Sequence, residues 1–339
     1  MIGQLMAAEM AEQPDVLRRL VGRRAAIAAQ VRAVRPERLD GITLVARGSS
    51  DNAAIYGRYL FELAARRPAG LAAPSLHTMY GAAVDLAGYI AVGISQSGQT
   101  PEIVTVLRRM RERGARTIAI VNAAGSPLAD VADATVELGA GDERAVPATK
   151  TFTATLVALA LVAGGLGEVP WEDAELDSLP TQAGALLADQ ASADRVAASL
   201  DGADRLVVTG RGLLLVAAVE TALKIRETSA VLAEGISPAD LSHGPIAAVG
   251  KGFPVLAVIG DPPEPGAQEM VDTLRRRGAR VLVLSPAAGA DCSLPPAVRP
   301  ALLPMLAVVR GQQIAAAVAR RRNLDSDAPA GLSKVTLTR

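Results

Sequence analysis

One pattern occurs twice in this chain. A shift of 164 residues lays Thr43-Leu-Val-Ala-Arg-Gly48 on Val207-Val-Thr-Gly-Arg-Gly212, lays Arg113-Gly-Ala-Arg116 on Arg277-Gly-Ala-Arg280, and brings residues 90–94 near 254–258. Self-similarity at a fixed offset marks one structural unit used twice. In each copy an apolar run rich in Val, Ile and Leu meets a glycine and an amphipathic stretch follows. Parallel strands joined by helices require that alternation. The chain therefore reads as α/β, with two tandem doubly wound domains built on parallel sheets.

The first copy predicts strands near 42–47, 90–94, 117–121 and 134–138, with helices near 51–66, 78–86, 101–113 and 126–131. The second predicts strands near 205–209, 255–259 and 280–284, with helices near 213–233 and 265–277. Residues 1–35 have helical spacing, with Leu17, Leu20, Val21, Ile27 and Val31 on the apolar positions, and are expected to pack on the first sheet. An apolar helix over 151–161 and a helical stretch at 180–200 join the copies, and a last helix near 307–322 precedes an irregular tail. The expected organisation is an N-terminal helical segment at 1–35, a first domain at 36–178, a connecting helix at 179–200, a second domain at 201–325 and a tail at 326–339.

Composition removes several functions. The 35 basic residues are balanced by 35 acidic ones, so the electrostatic footprint of a nucleic-acid binder is missing. One Trp, four Tyr and three Phe leave no set of stacking platforms for single strands. A single cysteine, Cys292, forms no internal disulfide and no cysteine-rich metal site. Neither a metal nor a cofactor is expected. The longest apolar run, residues 156–166, is broken by Gly164 and Gly165 and falls short of the ~20 residues that span a bilayer. The start of the chain lacks the order of a signal peptide, and a cytoplasmic setting without membrane attachment is expected. Of 35 basic residues only Lys150, Lys224, Lys251 and Lys334 are lysines. A lysine can deprotonate and attack a carbonyl, which an arginine cannot do.

The stretch Ile94-Ser95-Gln96-Ser97-Gly98-Gln99-Thr100-Pro101 stands between a predicted strand and a predicted helix. Pro101 suits the first helical position, so hydroxyls and free N–H groups converge at the positive end of the helix dipole. Taken alone, the stretch is as consistent with a plain helix cap as with a phosphate site. A second turn, Gly48-Ser49-Ser50, ends another strand of the same sheet, and open parallel sheets bind ligands at that edge. Neither turn has a P-loop lysine, and the first does not match the dinucleotide pattern.

These motifs and the duplicated unit resemble the sugar isomerase (SIS) domain family, and the likeness runs from about residue 40 to the end of the chain. Within that family the chain is similar to the isomerase half of glucosamine-6-phosphate synthase and to stand-alone glucosamine-6-phosphate deaminases. The resemblance implies that Ser95, Gln96, Ser97 and Thr100 hold a sugar phosphate, with Ser50 near the sugar hydroxyls. Ala145-Val146-Pro-Ala-Thr-Lys150-Thr-Phe corresponds to the family's Val-Ala-Ser-Thr-Lys-Ala-Phe, which places the Val146 backbone against the sugar; Pro147 and Ala148 depart from it.

Lys224 and Glu227 stand three apart on a predicted helix and share a face. Spacing alone favours a surface ion pair. The family pattern, Lys-x-x-Glu followed by the histidine of a Leu-x-His-Gly-Pro turn, is kept here with His243 in Leu241-Ser-His-Gly-Pro245. By resemblance Glu227 moves a proton between C1 and C2, Lys224 orients it or holds the open-chain sugar, and His243 assists ring opening, in its own subunit or across the interface of a homodimer. A carboxylate and a near-neutral histidine suit those tasks. Pro329-Ala-Gly-Leu-Ser-Lys334 resembles the family's terminal stretch whose lysine meets the sugar carbonyl, making Lys334 the candidate Schiff-base amine.

A chain that begins Met-Ile-Gly-Gln and keeps its one cysteine at 292 is not expected to release ammonia from glutamine. The expected reaction is glucosamine 6-phosphate to fructose 6-phosphate and ammonia. A plain phosphosugar isomerase and a fructosamine-phosphate deglycase use related proton transfers, and a noncatalytic sugar-phosphate sensor would need the serine-rich loop alone.

Overall fold

The computed structural model describes residues 2–123 and 125–334. Three helices open the chain, α1 (Gln4–Ala11), α2 (Gln13–Val21) and α3 (Arg24–Val34). Then come β1 (Gly41–Val45), α4 (Ser49–Ala65), β2 (Ala69–Leu71), α5 (Pro74–Thr78), β3 (Tyr89–Ile94), α6 (Pro101–Glu112), β4 (Arg116–Val121), α7 (Pro127–Asp130), β5 (Ala134–Glu137) and α8 (Lys150–Leu166). The remainder runs α9 (Asp173–Ala188), α10 (Gln190–Ser199), β6 (Arg205–Gly210), α11 (Leu215–Ser229), β7 (Leu232–Ile236), α12 (Pro238–Ser242), β8 (Pro254–Val258), α13 (Ala267–Arg276), β9 (Arg280–Ser285), β10 (Cys292–Ser293) and α14 (Leu303–Arg321).

These elements form two compact units, each with one copy of the repeat. The first-repeat unit comprises residues 15–143 and 150–172. Its sheet has the order β2-β1-β3-β4-β5, and every pairing is parallel. β3 and β4 are buried along almost their whole length, because helices cover both faces of such a sheet. α8 is buried along almost its whole length and packs against α3 and α4 as core. A glycine permits that approach: a Cβ at Gly57 of α4 would stand 2.8 Å from Leu159 of α8.

The second-repeat unit comprises residues 2–14, 144–149 and 173–334. Its parallel sheet has the order β10-β9-β8-β6-β7, the same topology met a second time. α14 is its central buried helix and packs against α9, α10 and α11.

Several expectations need correction. The helix expected over 78–86 is the short α5, and the chain beyond Met79 is irregular, with Gly81 and Gly88 at positive φ. The helix expected over 213–233 stops at Ser229, where Ala230 takes a left-handed φ of 52°, and β7 follows. The edge strands β2 and β10 were unforeseen. α3 packs on β4 and β5 of the first sheet as expected, whereas α1 packs on α9 and α14 of the second-repeat unit. Among the described residues no helix is long and apolar enough to cross a membrane. Residues 335–339 of the expected tail lie outside the described residues.

Candidate active site

In the first-repeat unit the chain leaves β1 for β2 on one side and reaches β3 on the other, so the strand order reverses between β1 and β3. A crevice opens outside the carboxyl ends of strands at such a point. Ser50 and the 95–100 loop follow those two strand ends. Gly48, at φ 60°, turns the chain into α4 and leaves Ser50 half-buried in the first helical turn.

The 95–100 loop is fixed by its own backbone. Ser95 N–H donates to Ile120 O at 3.1 Å, Asn122 N–H to Gln96 O at 3.0 Å, and Leu128 N–H to Gly98 O at 3.0 Å. Gly98, at φ 63°, donates to Ser95 Oγ at 3.2 Å, and Gln99 N–H to Ser97 Oγ at 3.2 Å. The Ser95 and Thr100 hydroxyls lie 3.3 Å apart. Thr100 is the N-cap of α6, yet its hydroxyl makes no cap bond, and Pro101 occupies the first helical position. The serines therefore shape the loop and do not close the helix end, which separates this arrangement from a plain cap. Such a cradle of neutral donors suits a phosphate. Arg47 ties the two crevice loops together, its Nε and Nη2 donating to the Glu102 carboxylate of α6 at 2.9 and 3.0 Å.

In the second-repeat unit, Lys224 of α11 does not lie on the surface. Its side chain is 1% exposed, with Nζ 2.6 Å from Glu227 Oε2 and 3.3 Å from Glu220 Oε1. The surface ion pair that spacing favoured is thus a buried triad on one helix face, at i, i+4 and i+7. Burial pulls the Lys224 ammonium down, but Glu220 and then Glu227 outweigh it and hold the pKa above the ordinary lysine value. Glu220 is fully buried, while Glu227 is 23% exposed and forms the end of the triad that a ligand can reach. One Glu227 oxygen is pinned by the ammonium, so the carboxylate is oriented before any substrate arrives.

His243 is the C-cap of α12, whose other end is closed by Ser237 Oγ accepting from Asp240 N–H at 3.0 Å. Its imidazole stands exposed on the turn into Gly244. The tail returns along the 145–146 strip: Val146 N–H donates to Asp327 O at 2.8 Å, and half-buried Lys334 donates from Nζ to Ala145 O at 2.8 Å. The structure thus joins Lys224 to Glu227, Ser95 to Thr100, and the Lys334 tail to the Val146 strip. Sequence reading missed Glu220, although Glu220-x-x-x-Lys224-x-x-Glu227 is a legible helix-face pattern. It also missed the Arg47–Glu102 tie, whose signal is an acid in the first turn of α6.

The chain matches the SIS domain family over residues 39–163 and 199–292. The glutamine–fructose-6-phosphate aminotransferase (isomerizing) of Symbiobacterium thermophilum is 35% identical over 360 positions, covering 97% of this chain and 58% of that protein. Its counterpart in Leifsonia xyli is 32% identical over 358 positions with the same coverage. The chain therefore spans 58% of the length of these relatives. A provisionally assigned phosphosugar isomerase from Silicibacter pomeroyi DSS-3 superimposes with a TM-score of 0.84 at 30% identity, over 96% of this chain and 100% of that one. The C-terminal domain of glucosamine-fructose-6-phosphate aminotransferase from Francisella tularensis gives 0.81 at 25% identity, over 96% and 98%. Glucosamine-6-phosphate deaminase from Thermotoga maritima, at 22% identity and a TM-score of 0.82 over 99% and 100%, shares the fold.

Proposed function

Because the chain belongs to the SIS domain family, we propose that it is a phosphosugar isomerase that also removes nitrogen, converting glucosamine 6-phosphate and water to fructose 6-phosphate and ammonia. The observation that carries this reading is Glu227, partly exposed and held by a buried ammonium, because a sensor has no use for an oriented proton carrier. In this reading Ser95, Gln96, Ser97 and Thr100 bind the phosphate, Ser50 and the Val146 backbone meet the sugar, and His243 protonates the ring oxygen as the pyranose opens. Glu227 takes the proton from C2 and returns it to C1, while the C1 oxygen gains a proton and the amino nitrogen gives one up, leaving an imine at C2 and a hydroxyl at C1. Water adds there, and ammonia departs as the C2 carbonyl forms. Lys334 meets the open-chain carbonyl and Lys224 keeps Glu227 aligned. The exposed His243 turn serves its own subunit or, in a homodimer, the partner's.

Incubation with glucosamine 6-phosphate is expected to yield ammonia and fructose 6-phosphate in equal amounts. Ketose without ammonia would select plain isomerisation, release of an amino acid from a fructosamine phosphate would select the deglycase, and binding with no turnover would select the sensor. Glu227→Gln is expected to bind substrate while losing about 10²–10⁴-fold in solvent proton exchange at C1 and C2, followed by NMR in deuterated water. Unchanged exchange removes Glu227 from the mechanism.

A further inference from the structure

α1 is joined by hydrogen bonds to both pieces of backbone that carry Lys334 and Val146. At its amino end the orphan donors of the first turn are satisfied by the tail: Leu5 and Met6 N–H donate to the Asp327 carboxylate at 3.0 and 2.8 Å, and Gly3 N–H to Asp325 Oδ1 at 3.3 Å. Two carboxylates there also complement the helix dipole. At its other end Glu9, 5% exposed, accepts the N–H of Arg144 and, at 3.3 Å to each oxygen, that of Ala145.

Ala145 is consequently gripped on both sides of one residue, its N–H by Glu9 and its carbonyl by the Lys334 ammonium. Asp327 is shared in the same way, its carboxylate by α1 and its backbone carbonyl by Val146 N–H. Beneath this network Met6, Met10 and Ala145 form one buried cluster with Leu187 and Ala316 against it. Three stretches far apart in sequence, 3–10, 144–146 and 325–334, are thus locked to one another. A buried carboxylate is costly unless its oxygens are satisfied, so a helix that only filled space would place an apolar residue at position 9.

We propose that α1 is the clamp that positions Lys334, with Glu9 and Asp327 as positioning residues. This rests on the reading of Lys334 as the amine that meets the sugar carbonyl. In that step the uncharged Nζ adds to the carbonyl carbon, the carbonyl oxygen takes up the two protons that the nitrogen gives up, and it leaves as water as the C=N bond forms. The geometry of attack is demanding, and a displacement of ~1 Å can cost about 10²-fold in rate. α1 supplies that placement from outside the reacting groups, as supporting residues do around other reactive side chains.

The test uses the full chain with Glu9→Gln, and with Asp327→Asn as an independent second variant. Three readouts are taken: steady-state kinetics, borohydride trapping of fructose 6-phosphate on Lys334 by mass spectrometry, and hydrogen exchange at the Ala145 and Val146 amides. Each variant is expected to exchange those amides faster and to lose about tenfold or more in kcat, with trapping reduced in proportion and KM little changed. In a Lys334→Arg background, Glu9→Gln is expected to add no further loss, because the clamp acts through that lysine. Faster exchange with unchanged kcat and trapping would reduce α1 to a structural role and overturn the proposal, as would an additional loss in the Lys334→Arg background. A wild-type protein that neither turns over nor traps the ketose would instead remove the reading of Lys334; unchanged exchange at Val146 in Glu9→Gln would by itself remove the clamp.

Discussion

Shifted by 164 residues, Tyr56, Leu60 and Leu63 of α4 fall on Glu220, Lys224 and Glu227 of α11. Both helices follow the first strand of their sheet, and both sheets have the same strand order. The turns before them match closely, with Gly48 at φ 60° and Gly212 at φ 59°. The loops after the third strands do not. Where the first repeat has Ser95 to Thr100, the second has Ile259-Gly-Asp-Pro-Pro-Glu264, and Gly260 N–H is taken by the Glu264 carboxylate at 3.0 Å. Arg47 pairs with Glu102, whereas its equivalent Arg211 faces Gly266 in that place. One backbone plan has therefore been written twice: neutral donors in the loop and uncharged residues at the three matched helix positions in one copy, a charged triad and a loop closed by its own acid in the other. The fold supplies the crevice, and a handful of side chains decide its chemistry.

The largest expected effect breaks the charged helix. Lys224→Met takes the ammonium away from buried Glu220, and loss of one partner of a buried pair costs about 3–5 kcal/mol. Leu60→Met at the equivalent position keeps volume and polarity and should cost less than about 1.5 kcal/mol. Urea unfolding of the two variants measures the contrast directly. Equal costs would mean that the two helices carry their loads alike and that the triad is not desolvated.

Next in size is the phosphate loop. A Cβ at Gly98 would overlap the Ser126 side chain, and φ 63° is strained for alanine in any case. Gly98→Ala should displace the donors of Ser95 and Ser97; loss of one charge-assisted hydrogen bond, about 1.5–3 kcal/mol, weakens hexose 6-phosphate binding by about tenfold or more. Calorimetric titration checks it. An unchanged Kd would show that the loop does not hold the anion, and the two repeats would then differ in sequence but not in this task.

Much of this was legible in the chain, for identifiable reasons. The repeat fixed two parallel sheets because strand–glycine–helix alternation is local and periodic. Ser95 to Thr100 was found because strand end, Pro101 and hydroxyls lie within seven residues of one another. What sequence reading missed depends on contacts between distant residues. Whether Lys224 is exposed turns on how α14 covers α11, and spacing along α11 carries no trace of it. α1 leaves its neighbours α2 and α3 for the other unit because Arg144, Asp325 and Asp327 hold it there, more than a hundred residues away. The helix expected to reach 233 runs onto the start of β7 because Leu232-Ala-Glu-Gly-Ile236 shows no alternation, and a left-handed alanine gives no sign of a stop.

The smallest expected effect tests whether the second loop is closed by its own acid. Burial pushes the Glu264 carboxyl above its ordinary value, and the bond from Gly260 N–H opposes the shift without cancelling it. A carboxyl whose folded pKa is raised binds its proton more tightly in the native state, so the unfolded chain releases protons first as pH rises. Stability then falls across the interval between the unfolded and folded pKa values, and the penalty is complete above the latter. Glu264→Gln keeps an oxygen for Gly260 N–H but has no charge to desolvate. The variant should match the wild type at acid pH and gain on it as pH rises through the carboxylate range, read as a growing difference in urea midpoint. Parallel curves across that range would show a solvated carboxylate at 264. The loop after β8 would then be as open to an anion as the one after β3, and the asymmetry between the repeats would rest on the helices alone.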